Sequence, residues 1–166
     1  MNILTVNLLF STLVFWVAAR IYLLPRLHTL KPHAVVLPIL LLHSTRHFGL
    51  MFLAQGATYP GLPPQFAYPA AFGDLLAAIL AMVAIPAVAT KARSARLLVW
   101  IFNIEGTLDL LAAIVLATIY RAAPYMGPAY WIPALWVPAL LVTHYILFLI
   151  LQRDWTGDPA AALGPS

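Results

Sequence analysis

Residues 97–120 read LLVWIFNIEGTLDLLAAIVLATIY. A helix of about 20 apolar residues crosses the hydrocarbon core of a bilayer, and this stretch is long enough to do so. It nevertheless contains Asn103, Glu105 and Asp109. An ionised side chain at the bilayer centre costs about 3 kcal/mol on insertion scales, so such residues are rare and usually functional. The stretch therefore predicts a membrane-spanning helix that carries polar groups for a purpose.

The composition of the whole chain indicates the same class of protein. Of its 166 residues, 63% are hydrophobic and only 8% are charged, and the mean hydropathy is +0.92. About a quarter of the residues of a soluble domain are charged. The chain contains no cysteine, which excludes disulfides, thiolate metal sites, iron–sulfur clusters and a cysteine nucleophile. We therefore expect an integral membrane protein.

Four further stretches resemble residues 97–120 in length and apolar character. The alternating apolar pattern of an outer-membrane barrel is absent, so helices remain as the way to satisfy the backbone in lipid. The sequence predicts an all-α integral membrane protein, a five-transmembrane-helix bundle. A single bundle over 1–153 is expected, followed by a flexible cytoplasmic tail over 154–166; the predicted spans are 3–24, 33–55, 68–90, 97–120 and 131–152.

Basic residues predict how the bundle is oriented, because they collect in cytoplasmic loops. Most of them lie in the first and third predicted loops or follow the fifth span. This distribution predicts that the N-terminus is outside and the C-terminus is cytoplasmic. We expect the first span to be retained, since a signal peptide carries its basic region before the apolar core, whereas Arg20 follows it here. The same loops account for the net charge of +4, so no nucleic-acid partner is expected.

A second polar group interrupts the predicted second span, with the sequence HSTRH at residues 43–47. In an α-helix, His43, Arg46 and His47 would lie within one arc of about 100°. At a rise of about 1.5 Å per residue, they lie at the depth of polar residues from three other spans. The sequence therefore predicts one polar site near the bilayer midplane; its members are His43, Arg46, His47, Asp74, Glu105, Asp109 and His144.

Small residues surround the one acid of the third span. Ala70, Gly73, Ala77 and Ala81 fall along the side of the helix that carries Asp74. Small side chains of this kind allow another helix backbone to approach closely. Asp74 is therefore expected to be shielded from lipid.

Asn103 lies on nearly the opposite face of the fourth span from Glu105 and Asp109. Polar residues on two faces imply that this helix is surrounded by protein or lies at a subunit contact. The predicted site also has unbalanced charge, because three acids face one arginine and would leave a charge of minus two if all were ionised. A protonated carboxyl, a protonated histidine or a bound cation would reduce that charge.

The first functional interpretation is proton-coupled transport or proton conduction. Intramembrane carboxylates and histidines are typical of proton relays. Glu105 and Asp109 would carry protons, with Arg46 as a fixed counter-charge. The relay groups would be His43, His47 and His144. Five spans make a small transporter, so the expected partners are the lipid bilayer and a homo-oligomer or partner membrane subunit. The predicted proton-relay or substrate-binding residues are Arg46, Asp74, Asn103, Glu105 and Asp109.

The second interpretation is a membrane oxidoreductase with a bound metal ion (zinc, iron or copper) or haem. His43 and His47 are four residues apart and would chelate one ion, which His144 would also bind. Glu105 and Asp109 would add carboxylate oxygens. Alternatively, His43 and His144 would be the axial ligands of a haem. An HxxxH spacing occurs often by chance, so the sequence does not decide whether the protein is an enzyme.

The third interpretation is a structural accessory subunit of a membrane complex. Polar contacts between membrane helices are common, and a buried pair of arginine and aspartate can be purely architectural. The sequence favours proton-linked transport over the other two interpretations and does not identify the substrate. The high content of alanine, leucine and proline is typical of a GC-rich bacterial genome, which predicts a location in the bacterial cytoplasmic (inner) membrane.

Overall fold

The computed structural model of this chain describes residues 3–153, and the predicted tail over 154–166 lies outside them. Across the described residues the chain is helical and contains no strand. The prediction of five helices that are long and apolar enough to span a membrane is confirmed. The third and fifth spans begin about one helical turn earlier than predicted; the five stretches long and apolar enough to cross a membrane are Ile3–Arg26, Pro32–Leu53, Pro64–Ala89, Ala95–Ile119 and Gly127–Leu151.

Each span contains one long α-helix, and three of these helices begin with proline in their first turn, where its missing N–H costs nothing. Three spans also contain irregular turns. In the first span a π turn at Ala19–Leu23 follows the α-helix, and in the fifth span a π turn at Ile132–Trp136 precedes it. The α-helices are α1 (Ile3–Ala18), α2 (Pro32–Ser44), α3 (Pro64–Ala89), α4 (Ala95–Ile119) and α5 (Val137–Leu151).

The second span changes its helical period halfway along. From Thr45 to Leu53 it is a 3-10 helix, which has three residues per turn, so that residues three apart lie in line. We call Thr45–Leu53 the 3-10 segment. Its buried residues are Arg46, Gly49 and Phe52, which are spaced by three. One face of this segment therefore packs against α3, and the other two faces point away from it.

α3 lies at the centre of one side of the bundle and packs against α2, the 3-10 segment and α4. The three alanines predicted to line its packing face are buried, and Gly73 is half-buried. Ala70 is 2% exposed, and Ala77 and Ala81 are completely buried. Because these side chains are short, the neighbouring helices approach α3 closely. As expected, Asp74 on the same face is only 7% exposed.

Two connections meet at the end of the bundle where α1 begins. The Tyr59 N–H donates to the Tyr125 carbonyl at 2.8 Å, and the Ala129 N–H donates to the Ala57 carbonyl at 2.9 Å. These bonds join the connection between the second and third spans to the connection between the fourth and fifth. Gly127 lies at this junction with a φ of +49°, a conformation that glycine adopts readily.

α1 is the least enclosed of the five helices. Only 6% of the residues in its most apolar window are buried, and it packs chiefly against α5 and the π turn that precedes α5. Phe10, Leu13 and Val14 are largely exposed, as expected of a helix that faces lipid. Which end of the bundle faces the cytoplasm stays a prediction from the basic residues.

Candidate functional site

Arg46 lies inside the bundle and is completely buried. Its Nε donates to Asp74 Oδ1 at 2.7 Å, and its Nη2 donates to Asp109 Oδ2 at 2.5 Å. Its Nη1 donates to the Gly106 carbonyl at 3.2 Å and lies 3.4 Å from His144 Nε2. Each guanidinium nitrogen therefore has a partner. This single side chain connects the second, third, fourth and fifth spans, and we call these five residues the Arg46 network.

The Arg46 network contains more acid than base. The side chains of Asp74 and Asp109 are only 10% and 12% exposed, and both bind the same guanidinium. If both were ionised, two negative charges and one positive charge would leave the network at minus one. Excess charge is unfavourable in a low-dielectric interior unless a proton or a cation neutralises it. The arrangement therefore favours binding of one further positive charge.

Two glycines make room for the two carboxylates. A Cβ on Gly49 in the 3-10 segment would overlap the carboxylate of Asp74. A Cβ on Gly73 in α3 would overlap the carboxylate of Asp109. Each aspartate thus presents one oxygen to the guanidinium and lies directly against the backbone of a neighbouring span. Any larger residue at either glycine would displace an acid from its arginine.

Gly106 makes room for the contact between Arg46 and His144. Its carbonyl accepts a hydrogen bond from Arg46, although it belongs to a continuous α-helix. A Cβ at this position would lie 2.7 Å from Arg46 Nη1 and 2.8 Å from His144 Nε2. The absence of a side chain therefore lets the guanidinium and the imidazole meet over the backbone of α4.

The tautomer of His144 follows from its two partners. Arginine can only donate, so Nε2 of His144 accepts from Arg46 Nη1 and carries no proton. The ring proton is then on Nδ1, which donates to Asn103 Oδ1 at 2.7 Å. Asn103 is completely buried, and its Nδ2 has no hydrogen-bond partner among the described residues. A neutral imidazole thus links α4 to the arginine.

His43 lies beside the Arg46 network without bonding to the arginine. Its ring contacts that of His144, with centroids 4.3 Å apart and planes tilted by 60°. Its Nε2 lies 2.9 Å from Thr143 Oγ1. The Thr143 hydroxyl already donates to the Ala139 carbonyl, so it accepts from His43 Nε2–H. Nδ1 of His43 is then a buried acceptor that has no partner in the described part of the chain.

His47 is not part of the site, although the sequence predicted it there. It is exposed, and its Nδ1 lies 3.0 Å from the Ser44 carbonyl. The prediction assumed an α-helix through this region, in which His47 would lie about 40° from His43 and about 100° from Arg46 around the axis. The 3-10 segment instead turns about 120° per residue. This change of period moves His47 to the outer surface.

Glu105 lies near the site but outside the ion pairs. It precedes Asp109 by one turn of α4, and within residues 3–153 only Asp74 and Asp109 form salt bridges with Arg46. Glu105 is half-buried, and its Oε2 is buried without a hydrogen-bond partner in that range. The predicted group of three acids around one arginine is therefore a pair of acids with a third one turn away.

The metal-site prediction gains no support from this arrangement. In the described part of the chain, no group of three or more histidines, aspartates or glutamates could hold a metal ion. His47 faces away from the other two predicted histidine ligands. The haem alternative requires a macrocycle between the imidazoles of His43 and His144. Their direct ring contact leaves no room for one.

A cavity of about 470 Å³ reaches the Arg46 network. It lies between α1, the outer turns of α3 and α4, and the start of the fifth span, and most of its walls are apolar. Asp74 is the lining residue of α3 farthest from the end where α1 begins, and Arg121 lies at that end. Asp109 does not line the cavity. One of the two paired acids is therefore accessible to a small molecule.

The structure brings together six of the predicted residues and adds others that the sequence analysis did not identify; the six are His43, Arg46, Asp74, Asn103, Asp109 and His144. Asn103 lies on the second polar face of α4 and contacts α5 of the same chain. The prediction that α4 is surrounded by protein is wrong, because another face of this helix is open, with Leu108, Val115 and Ile119 each more than half exposed. The alternative of a subunit contact stays a prediction. Gly49, Gly106, Thr143 and the cavity were missed, and Gly73 was predicted only as part of the packing face of α3. The spacing of Arg46, Gly49 and Phe52 by three was the available signal for the 3-10 segment.

Comparison with known proteins identifies a family without a described function. The chain matches a family model described as Domain of unknown function (DUF8737) over residues 3–152. No curated protein matches the chain, and no solved structure matches it. The matched range includes all five spans and the whole Arg46 network. The chain therefore belongs to the DUF8737 family of domains of unknown function.

Proposed function

We propose that this protein is a multi-pass membrane transporter that couples movement of a proton to movement of a solute. Arg46, Asp74 and Asp109 form the exchange site. One observation carries the proposal: a single buried guanidinium binds two carboxylates, and one of them lines a cavity. Arg46 compensates one negative charge, so the second requires a proton or a cation. Competition between the two for one site is the basis of coupling.

The two acids have different roles in this proposal. Asp74 lines the cavity and is the group that a solute meets. Asp109 lies against Gly73 and shares the same guanidinium. When a solute binds at Asp74, the guanidinium is drawn toward Asp109, and a proton held by the pair is released. The charge on one acid therefore depends on the occupancy of the other.

Glu105 provides a continuation of the proton path. It is one turn from Asp109, or about 6 Å along the helix axis, on the side toward the start of α4. Its Oε2 is buried without a partner among residues 3–153, so it has an acceptor available for a proton. The path would lead from the cavity past Asp74 and Asp109 to Glu105 and the opposite end of the bundle.

Irregular helical stretches beside the site supply the flexibility that transport requires. The 3-10 segment carries Arg46, and the π turn at Ile132–Trp136 lines the cavity in part. Long 3-10 stretches and π turns inside helices often mark functional hinges. Pro133 lies within the π turn and has no N–H to bond to the preceding turn.

The proposal is tested by measuring proton movement in proteoliposomes that contain a pH-sensitive dye. A pH gradient is imposed in the absence of solute and in the presence of organic cations, organic anions and neutral solutes. We expect proton flux above that of empty liposomes in at least one condition, and loss of that flux in Asp74→Asn. His47→Ala is the matched control and should keep the flux. No flux in any condition from folded protein would refute the proposal.

A structural accessory subunit is the second candidate, favoured by the complete hydrogen bonding of the Arg46 guanidinium. A fully bonded buried ion pair can serve architecture alone. Under this hypothesis, the protein copurifies with a fixed partner and shows no flux. The predicted homo-oligomer or partner subunit is tested by native mass spectrometry, and the predicted bacterial inner membrane by fractionation of cells of the source organism.

A further inference from the structure

The cavity next to Asp74 has the size of a ligand site. Its volume of about 470 Å³ lies within the range of about 300–1,000 Å³ that is usual for small-molecule pockets. Its walls are formed by apolar side chains such as Leu8, Phe66 and Leu110. An apolar pocket with a few polar groups at defined positions typically binds a ligand with an apolar body and one polar end.

Asp74 determines which polar end fits. Among residues 3–153, it is the only acid that lines the cavity. One of its oxygens accepts from Arg46, and a carboxylate has about four lone-pair sites, so acceptor capacity remains. The Arg46 network holds two carboxylates for one guanidinium, so its net charge is minus one when both carboxylates are ionised. The inner end of the cavity is therefore complementary to a cation.

Arg121 opposes this charge at the other end of the cavity. It is exposed, so water and salt screen its charge. Arg121 follows Leu110, another residue that lines the cavity, by eleven residues along the chain. This separation corresponds to about 16 Å of helix. Asp74 interacts with a ligand inside an apolar pocket, where electrostatic interactions are much stronger than at an exposed surface. Asp74 therefore dominates the choice of ligand.

The position of α1 gives an apolar ligand a route into the cavity. α1 packs chiefly against α5, while Leu4 and Leu8 line the cavity opposite α4 residues such as Ala113 and Ala117. The two helices thus form opposite walls of the cavity. A ligand with an apolar body would enter from the bilayer between them.

We infer that this cavity binds hydrophobic organic cations, with the apolar body between α1 and α4 and the positive charge beside Asp74. The inference names the solute class of the proposed transport site and so rests on the proposed function. It requires a ligand whose positive charge lies near the Asp74 carboxylate and whose apolar body fits the cavity of about 470 Å³. Hydrophobic anions of the same size are excluded, because they would face Asp74.

The test is equilibrium binding of two probes of nearly equal size and opposite charge. Tetraphenylphosphonium and tetraphenylborate are titrated against the full chain in nanodiscs of uncharged lipid, with empty nanodiscs as the blank. We expect saturable binding of the cation and none of the anion. Asp74→Asn should weaken binding of the cation about tenfold or more, which corresponds to about 1.4 kcal/mol.

A matched pair of variants on α4 keeps the test decisive if Asp74→Asn fails to fold. Ala113 lines the cavity, whereas the neighbouring Ala112 is exposed on the outer face of the helix. Ala113→Phe should abolish binding of tetraphenylphosphonium by filling the cavity, and Ala112→Phe should leave its affinity within about twofold. Equal affinity in Ala113→Phe and the parent would overturn the inference, as would preferential binding of tetraphenylborate.

The same measurements separate this inference from the proposed function. Cation binding that responds to Ala113→Phe, with no proton flux in liposomes, supports the ligand site and refutes transport. Proton flux with another solute class, without binding of tetraphenylphosphonium, supports transport and refutes the ligand class.

Discussion

Asp74 and Asp109 bind the same guanidinium, and each lies against a glycine of a neighbouring span, yet their surroundings differ. Asp109 faces the tightly packed contact between α3 and α4. Asp74 lines a cavity of about 470 Å³. The two side chains are almost equally buried, with 10% of Asp74 and 12% of Asp109 exposed, so the difference lies in what each one borders. A change at the contact between Asp109 and Gly73 should affect stability, whereas a change at Asp74 should also affect binding in the cavity.

Replacing the arginine should disrupt the ion pairs of both Asp74 and Asp109, and it has the largest expected effect. Arg46→Met leaves two buried carboxylates without their partner, so we expect a loss of about 3–5 kcal/mol in the free energy of unfolding. Thermal unfolding in detergent measures this loss. Arg93→Met is the matched control, because Arg93 is exposed, and should change stability by less than about 0.5 kcal/mol. If Arg46→Met unfolds at the temperature of the parent protein, the acids do not depend on the arginine.

Gly73→Ala should disturb the packing of Asp109 and leave that of Asp74 unchanged. A Cβ at this position overlaps the Asp109 carboxylate, and overpacking of this kind costs about 1–3 kcal/mol. Without the overlap, alanine would suit a helix better than glycine by about 0.4–1 kcal/mol. Thermal unfolding of Gly73→Ala should therefore show destabilisation. The same substitution in an Asp109→Ala background should be less harmful; an equal cost in both backgrounds would mean that Gly73 is needed for another reason.

Asn103→Leu should loosen the network without changing either acid. It removes the acceptor of His144 Nδ1–H and leaves that donor buried, at an expected cost of about 1–3 kcal/mol in unfolding free energy. Nitrogen NMR of labelled histidine should report the Nδ1–H tautomer of His144 in the parent protein and a change in Asn103→Leu. The Nε2–H tautomer in the parent would contradict the hydrogen bond from Arg46.

His47→Ala should have the smallest effect, because His47 is exposed and lies outside the network. We expect a change in unfolding free energy within about 0.5 kcal/mol and no change in proton flux. Loss of flux in this variant, with stability retained, would mean that His47 belongs to the site, as the sequence predicted.

The five spans and most of the polar site could be predicted from the sequence, because length and hydropathy determine which stretches cross a bilayer. Polar residues inside those stretches are also few, so their depth and helix face suffice to group Arg46, Asp74, Asp109 and His144. The small residues around Asp74 gave the packing face of α3 for the same reason.

The helical period of the second span could not be predicted by the same reasoning. His43 and Arg46 lie on either side of the change from α-helix to 3-10 helix, and an assumed α period placed His47 beside them. The choice of period depends on tertiary packing, here the close approach of Gly49 to Asp74. The cavity was missed for a related reason, since it depends on how loosely α1 packs beside α4, which no single helix encodes.

The most direct test of the central claim is proton flux measured side by side for the parent, Asp74→Asn and Asp109→Asn in the same liposomes. Protein folding is checked by size-exclusion chromatography before reconstitution. If one guanidinium and two carboxylates form a single exchange site, each substitution removes the excess negative charge, and both variants should lose the flux of the parent. Flux equal to that of the parent in either folded variant would contradict the claim.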